Sequence, residues 1–164
     1  MSFQKQVNAN QALGNVGQIS KAHHSFLNVI PAIAADDFVK VGSFVQSSST
    51  ATNENEVIGA SGKQITGSIL GVVVRDSLKV AGDSTPTLEV KKGENCAILT
   101  EGSIFIEVNV EAKKGKYVML QTTDGALGFY DSSTQSGYTY TGFRVSKGHD
   151  TTSAGLIEIT TARA

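Results

Sequence analysis

The stretch that most constrains the fold is residues 96–120, in which two turn signals separate three runs of β-favouring residues. The turn signals are Glu101-Gly102 and Lys114-Gly115. In the middle run, one row of alternate positions is polar apart from Phe105, and the other row is apolar: Ile104, Ile106, Val108 and Val110. A period of two places such a row on one face of a strand. The stretch therefore predicts a half-buried antiparallel strand within a sheet.

Short apolar runs joined by polar turns continue through the rest of the chain. Residues 65–74 include three consecutive valines and predict a central strand that is covered on both faces. Asp124-Gly125 predicts a hairpin turn, and residues 156–160 predict a last strand. The 17 Gly and two Pro among 164 residues suit short strands joined by tight turns. We predict an all-β fold, an antiparallel sandwich or small barrel of about eight to ten short strands.

The N-terminal residues differ from this pattern, so we divide the chain into an extended arm, 1–30, and a single β-domain, 31–164. Apolar residues in the arm occur singly and follow neither a helical nor a strand period. Such a segment gains order only against another surface, because fixing each residue costs roughly 1–2 kcal/mol of backbone entropy. Two interpretations stay open: a frayed terminus, or an arm that lies on a partner. The second assigns partner contacts to the arm's apolar residues, Phe3, Val7, Leu13, Val16 and Ile19.

Charge and composition argue against several classes of function. A net charge of −1 and a pI near 6.3 give no general reason to bind nucleic acid or an anionic membrane. No apolar run reaches the roughly 20 residues that span a bilayer, and the first residues lack the apolar core of a secretory signal. Cys96 is the only cysteine, which excludes an intrachain disulfide and a cysteine-based zinc cage.

No group of residues predicts catalysis. Cys96 lies within a predicted strand and is interpreted as a packing thiol. As the nucleophile of a small hydrolase it would have His23, His24 or His149 as its base. His23 and His24 are adjacent, so their side chains would point apart in a strand, and no Cys or carboxylate lies at a spacing suited to a shared metal ion. Asp36-Asp37 precedes a strand and predicts a turn or cap. We expect a protein that is not an enzyme and has no metal, cofactor or small-molecule substrate.

One cluster of aromatic residues supports a different kind of binding. Tyr138, Tyr140 and Phe143 are close in sequence and would form a platform on which sugars or bases stack. Few basic residues lie nearby, which favours packing in the core or at a sheet edge over a platform.

The order of several short elements resembles a known family. The elements include a Gly-x-Phe-Val strand, a Gly-Val-Val-x-Arg strand and two glycine turns, and they occupy residues 14–20, 34–45, 69–76, 99–106 and 114–118. The order of these elements is similar to that in the structural cement (head decoration) proteins of tailed bacteriophages and prophages. Phe105 lies one place later than the family's usual aromatic in the hairpin. Residues 131–164 match no motif.

The resemblance implies a non-enzymatic, β-rich protein that binds the outer surface of the expanded capsid. In that role it would bind the major capsid protein, bridge neighbouring subunits and resist the pressure of packaged DNA. We expect a homo-oligomer, with a trimer favoured, on the outer capsid surface of the virion and in the host cytoplasm during assembly. An arm fits this task, since contacts spread across subunit seams add affinity. The alternative is a carbohydrate-binding β-module of a tail or receptor-binding structure, with the three aromatic residues as its platform.

Overall fold

The structure is a computed structural model that describes residues 14–20, 27–37, 39–48, 53–75, 88–149 and 154–161. These ranges contain twelve strands: β1 (Asn28–Ala34), β2 (Val39–Lys40), β3 (Phe44–Ser47), β4 (Glu56–Gly59), β5 (Ile69–Val73), β6 (Glu89–Val90), β7 (Asn95–Glu101), β8 (Ser103–Val108), β9 (Tyr117–Gln121), β10 (Leu127–Tyr130), β11 (Tyr138–Lys147) and β12 (Gly155–Thr160). The predicted all-β fold is confirmed. Within the same ranges, no helix is long and apolar enough to cross a membrane.

Five of the strands close into a small barrel in the order β1-β4-β3-β5-β7. β1 closes the barrel by pairing antiparallel to β7 and parallel to β4. The parallel pairing involves only Ile33 and Ala34 of β1, so Pro31 has a strand neighbour on one side, opposite Ala97. Proline lacks an N–H donor and is tolerated in such an edge-like position.

The second layer is a five-stranded sheet in the order β10-β9-β11-β12-β8. β9 and β10 form the hairpin predicted at Asp124-Gly125, with Leu120 opposite Leu127. β12 pairs antiparallel with β8, and Ile157 lies opposite Ile106. β8 is therefore an edge strand, because no other named strand pairs with it. β2 and β6 form a separate two-stranded ladder.

The main core lies between the barrel and the five-stranded sheet. It contains buried residues from both layers, among them Phe44, Val72, Leu99, Ile104, Ile106, Phe143 and Ile159. A second cluster includes Val45, Val57, Val73 and Ile98 from the barrel strands. The predicted apolar row on β8 is buried at Ile104, Ile106 and Val108. Val110 lies beyond the end of β8 and is 37% exposed.

Residues 14–20 pair with the edge of β8, and we call them the docked segment. The N–H of Ser20 donates to the carbonyl of Ser103 (2.8 Å), and the N–H of Phe105 donates to the carbonyl of Gln18 (3.0 Å). The N–H of Gly17 donates to the carbonyl of Phe105 (2.8 Å). Within the predicted arm, the docked segment thus lies against the five-stranded sheet, and residues 28–30 belong to β1 of the barrel.

Candidate interaction surfaces

Four tyrosines lie on the face of the five-stranded sheet that points away from the core. The rings of Tyr117 and Tyr140 meet edge to face with their centroids 5.4 Å apart, and those of Tyr130 and Tyr138 do so at 4.9 Å. All four side chains are half-buried. We call these residues, together with Arg144, the tyrosine face. Adjacent strands place them together, because Tyr130 and Arg144 both lie opposite Tyr117 in the ladder.

Arg144 contributes a cation to the tyrosine face. Its guanidinium carbon lies 4.1 Å from the centre of the Tyr117 ring, and its Nη2 donates a hydrogen bond to the Tyr117 hydroxyl. A guanidinium in this position is attracted to the ring and is also held in place by the hydroxyl. The arrangement fixes both side chains and leaves a surface with aromatic rings, hydroxyls and one positive charge.

The Tyr130 and Tyr138 pair is also linked through its hydroxyls. A hydrogen bond with Tyr138 raises the pKa of Tyr130 above its usual value of 10.0, and partial burial and the nearby Tyr138 charge act in the same direction. The Tyr130 phenol is therefore neutral near pH 7. Gly128 makes room for this pair, because a Cβ at that position would lie 2.6 Å from the Tyr130 ring.

Phe143 does not share this face. It is 1% exposed and packs edge to face against Phe44, with the ring centroids 5.7 Å apart. The alternation along β11 explains the difference, since Thr141, Phe143 and Val145 are buried while Tyr138 and Tyr140 point outward. The structure therefore keeps two members of the predicted aromatic platform on one surface and places the third in the core.

Sequence reasoning did not find Tyr117, Tyr130 and Arg144 as neighbours of Tyr138 and Tyr140. Tyr117 and Tyr130 lie on other strands. Which residues of two paired strands lie opposite each other depends on the register of the pairing, and no local sequence pattern indicates that register. One sequence signal could have placed Tyr117 on the outer face of its strand, namely its alternation with the buried Val118.

Two of the predicted partner contacts lie in the docked segment. Ile19 is half-buried against the main core and forms a bridge to Ile104. Val16 lies against Gly42, where any Cβ would collide with its side chain. Both residues therefore pack against their own chain. Phe3, Val7 and Leu13 lie outside the described residues.

The described residues that are candidates for catalysis make packing and hydrogen-bond contacts within the fold. Cys96 is half-buried and packs against the second cluster. Asp36 accepts hydrogen bonds from the Lys63 ammonium and the Gly59 N–H, and Asp37 accepts one from the Lys92 N–H at 2.9 Å. These contacts hold turns in place. His23 and His24 lie outside the described residues, and among those described no group of three or more His, Cys, Asp or Glu is arranged to hold a metal ion.

A groove of about 630 Å³ lies between the barrel and the five-stranded sheet. Its lining includes three buried side chains, Phe44, Val108 and Leu120, which also belong to the main core. Residues 107–110 line it from the end of β8, and residues 125–127 line it from the β9–β10 hairpin. The groove therefore has an apolar floor and lies beside the edge strand β8.

The fold and these surfaces define an all-β protein with exposed features suited to contacts with other molecules. The chain matches the family described as "Structural cement protein (E217 gp24/Pam3 gp6)" over residues 3–162, and it belongs to that family. A chain from "The capsid of Myoviridae Phage XM1" has a similar fold, with a TM-score of 0.61, 18% sequence identity and 99% coverage of each chain. No curated protein matches the chain. The resemblance found in the sequence is confirmed: this is a structural protein of the phage cement family, which associates it with the virion.

Proposed function

We propose that this protein binds the outer surface of the capsid, contacts the major capsid protein and bridges neighbouring subunits. The observation that carries the proposal is the family match, which extends from residue 3 to residue 162. The protein works without catalysis, as a rigid β-domain that adds contacts across the seams of the shell. Repetition over a capsid lattice makes modest individual contacts sufficient.

The docked segment supports a role for the residues that precede it. Three backbone hydrogen bonds fix residues 17–20 to β8. The sheet therefore also fixes the position of Gly14, the residue that follows Leu13 of the arm. In the proposal, Phe3, Val7 and Leu13 contact the capsid protein, while Val16 and Ile19 hold the segment to its own domain. Apolar side chains in an arm give binding energy in proportion to the area that they bury.

The experiment that tests the arm deletes residues 2–13 and keeps the docked segment, so that Phe105 stays covered. Binding to purified expanded heads is measured by co-sedimentation, with the full chain as reference. We expect the deletion to weaken binding, and the triple variant Phe3→Ala, Val7→Ala, Leu13→Ala to reproduce most of the loss. Undiminished binding of both variants would contradict the role of the arm, and failure of the full chain to bind heads would contradict the proposed function.

We further propose that the protein acts as a homo-oligomer, with a trimer favoured, on the outer capsid surface. Sedimentation equilibrium of the free protein gives the number of chains in the assembly. A monomer at concentrations well above those used for head binding would contradict this part of the proposal.

The tyrosine face favours one alternative, a carbohydrate-binding β-module. Its half-buried rings and their hydroxyls, beside Arg144, are groups that stack on sugar rings and bond to their hydroxyls. The test is binding to a glycan array by the wild type, Tyr138→Ala and Tyr138→Phe. Glycan binding that is lost in Tyr138→Ala and kept in Tyr138→Phe would favour this alternative, and no binding by the wild type would exclude it for the glycans on the array.

A further inference from the structure

The edge of β8 carries backbone groups that the docked segment does not reach. Ser103 and Phe105 direct their backbone hydrogen bonds away from β12, toward the docked segment. Successive residues of a strand alternate in direction, so Glu107 also directs its N–H and carbonyl away from β12. Among the described residues, these two groups of Glu107 have no backbone partner. Within the described part of the chain, the edge is paired at Ser103 and Phe105 and open at Glu107.

The open end of this edge lies at the groove. Glu107 and Asn109 line the groove together with the buried Val108, and residues 125–127 line it from the hairpin. Glu107 is exposed and is the one charged side chain among the described residues that line the groove. An open strand edge beside an apolar floor has the two features that strand addition uses: main-chain bonds for affinity and pockets for alternate side chains.

We infer that this groove binds one extended segment of the capsid shell protein, which adds to β8 at Glu107 as the docked segment adds at Ser103 and Phe105. The inference rests on the proposed function for the identity of the partner. The chain itself shows that the β8 edge accepts an extended segment, because residues 17–20 already pair with it. The segment would place small apolar side chains over Phe44 and Leu120 and a basic residue beside the Glu107 carboxylate.

The shape of the groove favours an isolated segment over the sheet of a second copy. An edge strand of a folded sheet has a neighbouring strand about 4.8 Å away. That neighbour would need room beyond the added strand, and residues 125–127 form another wall of the groove. A single extended chain has no such neighbour and needs less room in the groove.

Two substitutions at one position separate the backbone from the side chain. Glu107→Pro removes the outward N–H and leaves the ladder to β12 intact, since that N–H takes no part in it. Glu107→Ala removes the carboxylate and keeps the N–H. In co-sedimentation with expanded heads, we expect Glu107→Pro to weaken binding at least about fivefold, because it removes the backbone hydrogen bond and adds the bulk of the proline ring. We expect Glu107→Ala, which keeps the backbone bond, to weaken binding by no more than about threefold.

A second variant tests the same groove without touching β8. Ala126→Trp places a large ring on the exposed hairpin wall, and Gln135→Trp places the same ring on an exposed loop residue that does not line the groove. We expect Ala126→Trp to weaken head binding at least about fivefold and Gln135→Trp to leave it unchanged, with equal thermal unfolding for the two.

The outcomes distinguish this inference from the proposed function. If the wild type does not bind heads, the proposed function is wrong. If the wild type binds and Glu107→Pro and Ala126→Trp bind as well as it does, strand addition in the groove is wrong. Equal losses in Glu107→Pro and Glu107→Ala would assign the contact to the carboxylate and overturn strand addition. A change of oligomeric state in Glu107→Pro alone would identify a second copy as the occupant and overturn the assignment to the shell protein.

Discussion

Gly14 lies directly on the aromatic ring of Phe105, so close that a Cβ at position 14 would stand 2.5 Å from Phe105 Cδ2. This contact joins the docked segment to the one apolar side chain on the otherwise polar row of β8. Phe105 is 5% exposed, although that row faces away from the main core. The glycine therefore serves to cover a residue that the strand alone would leave in water.

The first prediction concerns this contact. Gly14→Ala should destabilise the protein by about 1–3 kcal/mol, because the ring is confined and the added methyl group overpacks it. In a Phe105→Ala background the same substitution should cost much less, since the colliding ring is gone. Denaturant unfolding of the four proteins in this double-mutant cycle gives the coupling. Additive effects would show that the two residues do not constrain each other.

The second prediction concerns the contact between the β9–β10 hairpin and the barrel. Gly125 has φ of +67°, and a Cβ there would collide with the backbone carbonyl of Ala60. Gly137 has a similar φ of +78° but no atom within 4 Å of its Cβ position. Gly137→Ala should cost about 1 kcal/mol from backbone strain alone, and Gly125→Ala at least about 2 kcal/mol more. Equal midpoints of thermal unfolding for the two variants would contradict close packing of the hairpin.

The third prediction concerns a buried carboxylate. Glu158 is 1% exposed, its Oε2 accepts no hydrogen bond from the described residues, and the Lys147 ammonium lies 3.4 Å from that oxygen. Lys147→Met should destabilise the protein by about 1–3 kcal/mol, because the carboxylate loses its counter-charge. Adding Glu158→Gln should restore most of this stability.

Lys113→Met is the matched control for the third prediction. Its partner Glu111 is 47% exposed, so this ion pair should contribute less than about 0.5 kcal/mol. Chemical denaturation compares the variants. A loss in Lys147→Met no larger than that in Lys113→Met would show that burial of Glu158 carries no electrostatic cost.

The fourth prediction concerns the tyrosine face at alkaline pH. The hydrogen bond with Tyr138 holds the pKa of Tyr130 above 10.0, so Tyr138→Phe should lower that pKa toward the ordinary value. Since the folded state retains this proton more tightly than the unfolded chain, the contribution to stability is complete below the unfolded pKa and is lost as the pH rises through the folded pKa. An ultraviolet titration of tyrosinate measures the shift, and Tyr140→Phe is the control. Identical titrations of Tyr130 in the two variants would contradict the pairing.

The sequence predicted the strands better than the contacts between them. Alternation identified the buried row Ile104, Ile106 and Val108, and the Asp124-Gly125 signal located a hairpin, because both depend on neighbours along the chain. The division of strands between a barrel and an open sheet was not predictable, since it depends on pairings such as the parallel one between Ile33 and Glu56. No local pattern distinguishes that pairing from others.

The interaction surfaces were predicted only in part for the same reason. Tyr138 and Tyr140 are predictable as a pair because they lie two positions apart in one strand, whereas Tyr117 joins them through strand pairing. Phe143 was grouped with them by proximity in sequence, although its place in the alternation of β11 sends it into the core. Glu107 was recognised only as a polar position on β8, because an open edge is a property of the assembled sheet.

The position of β8 between two distant parts of the chain has a consequence for how the protein folds. Ser103 bonds to Thr160, 57 residues later in the sequence, and its carbonyl also accepts the N–H of Ser20, far earlier in the chain. During synthesis, β8 leaves the ribosome well before the strand that pairs with it. Such non-local pairing slows folding and leaves an unpaired apolar strand exposed for longer. We therefore expect nascent chains that stop before Gly155 to aggregate or to recruit chaperones, whereas chains that include β12 pair β8 along its length.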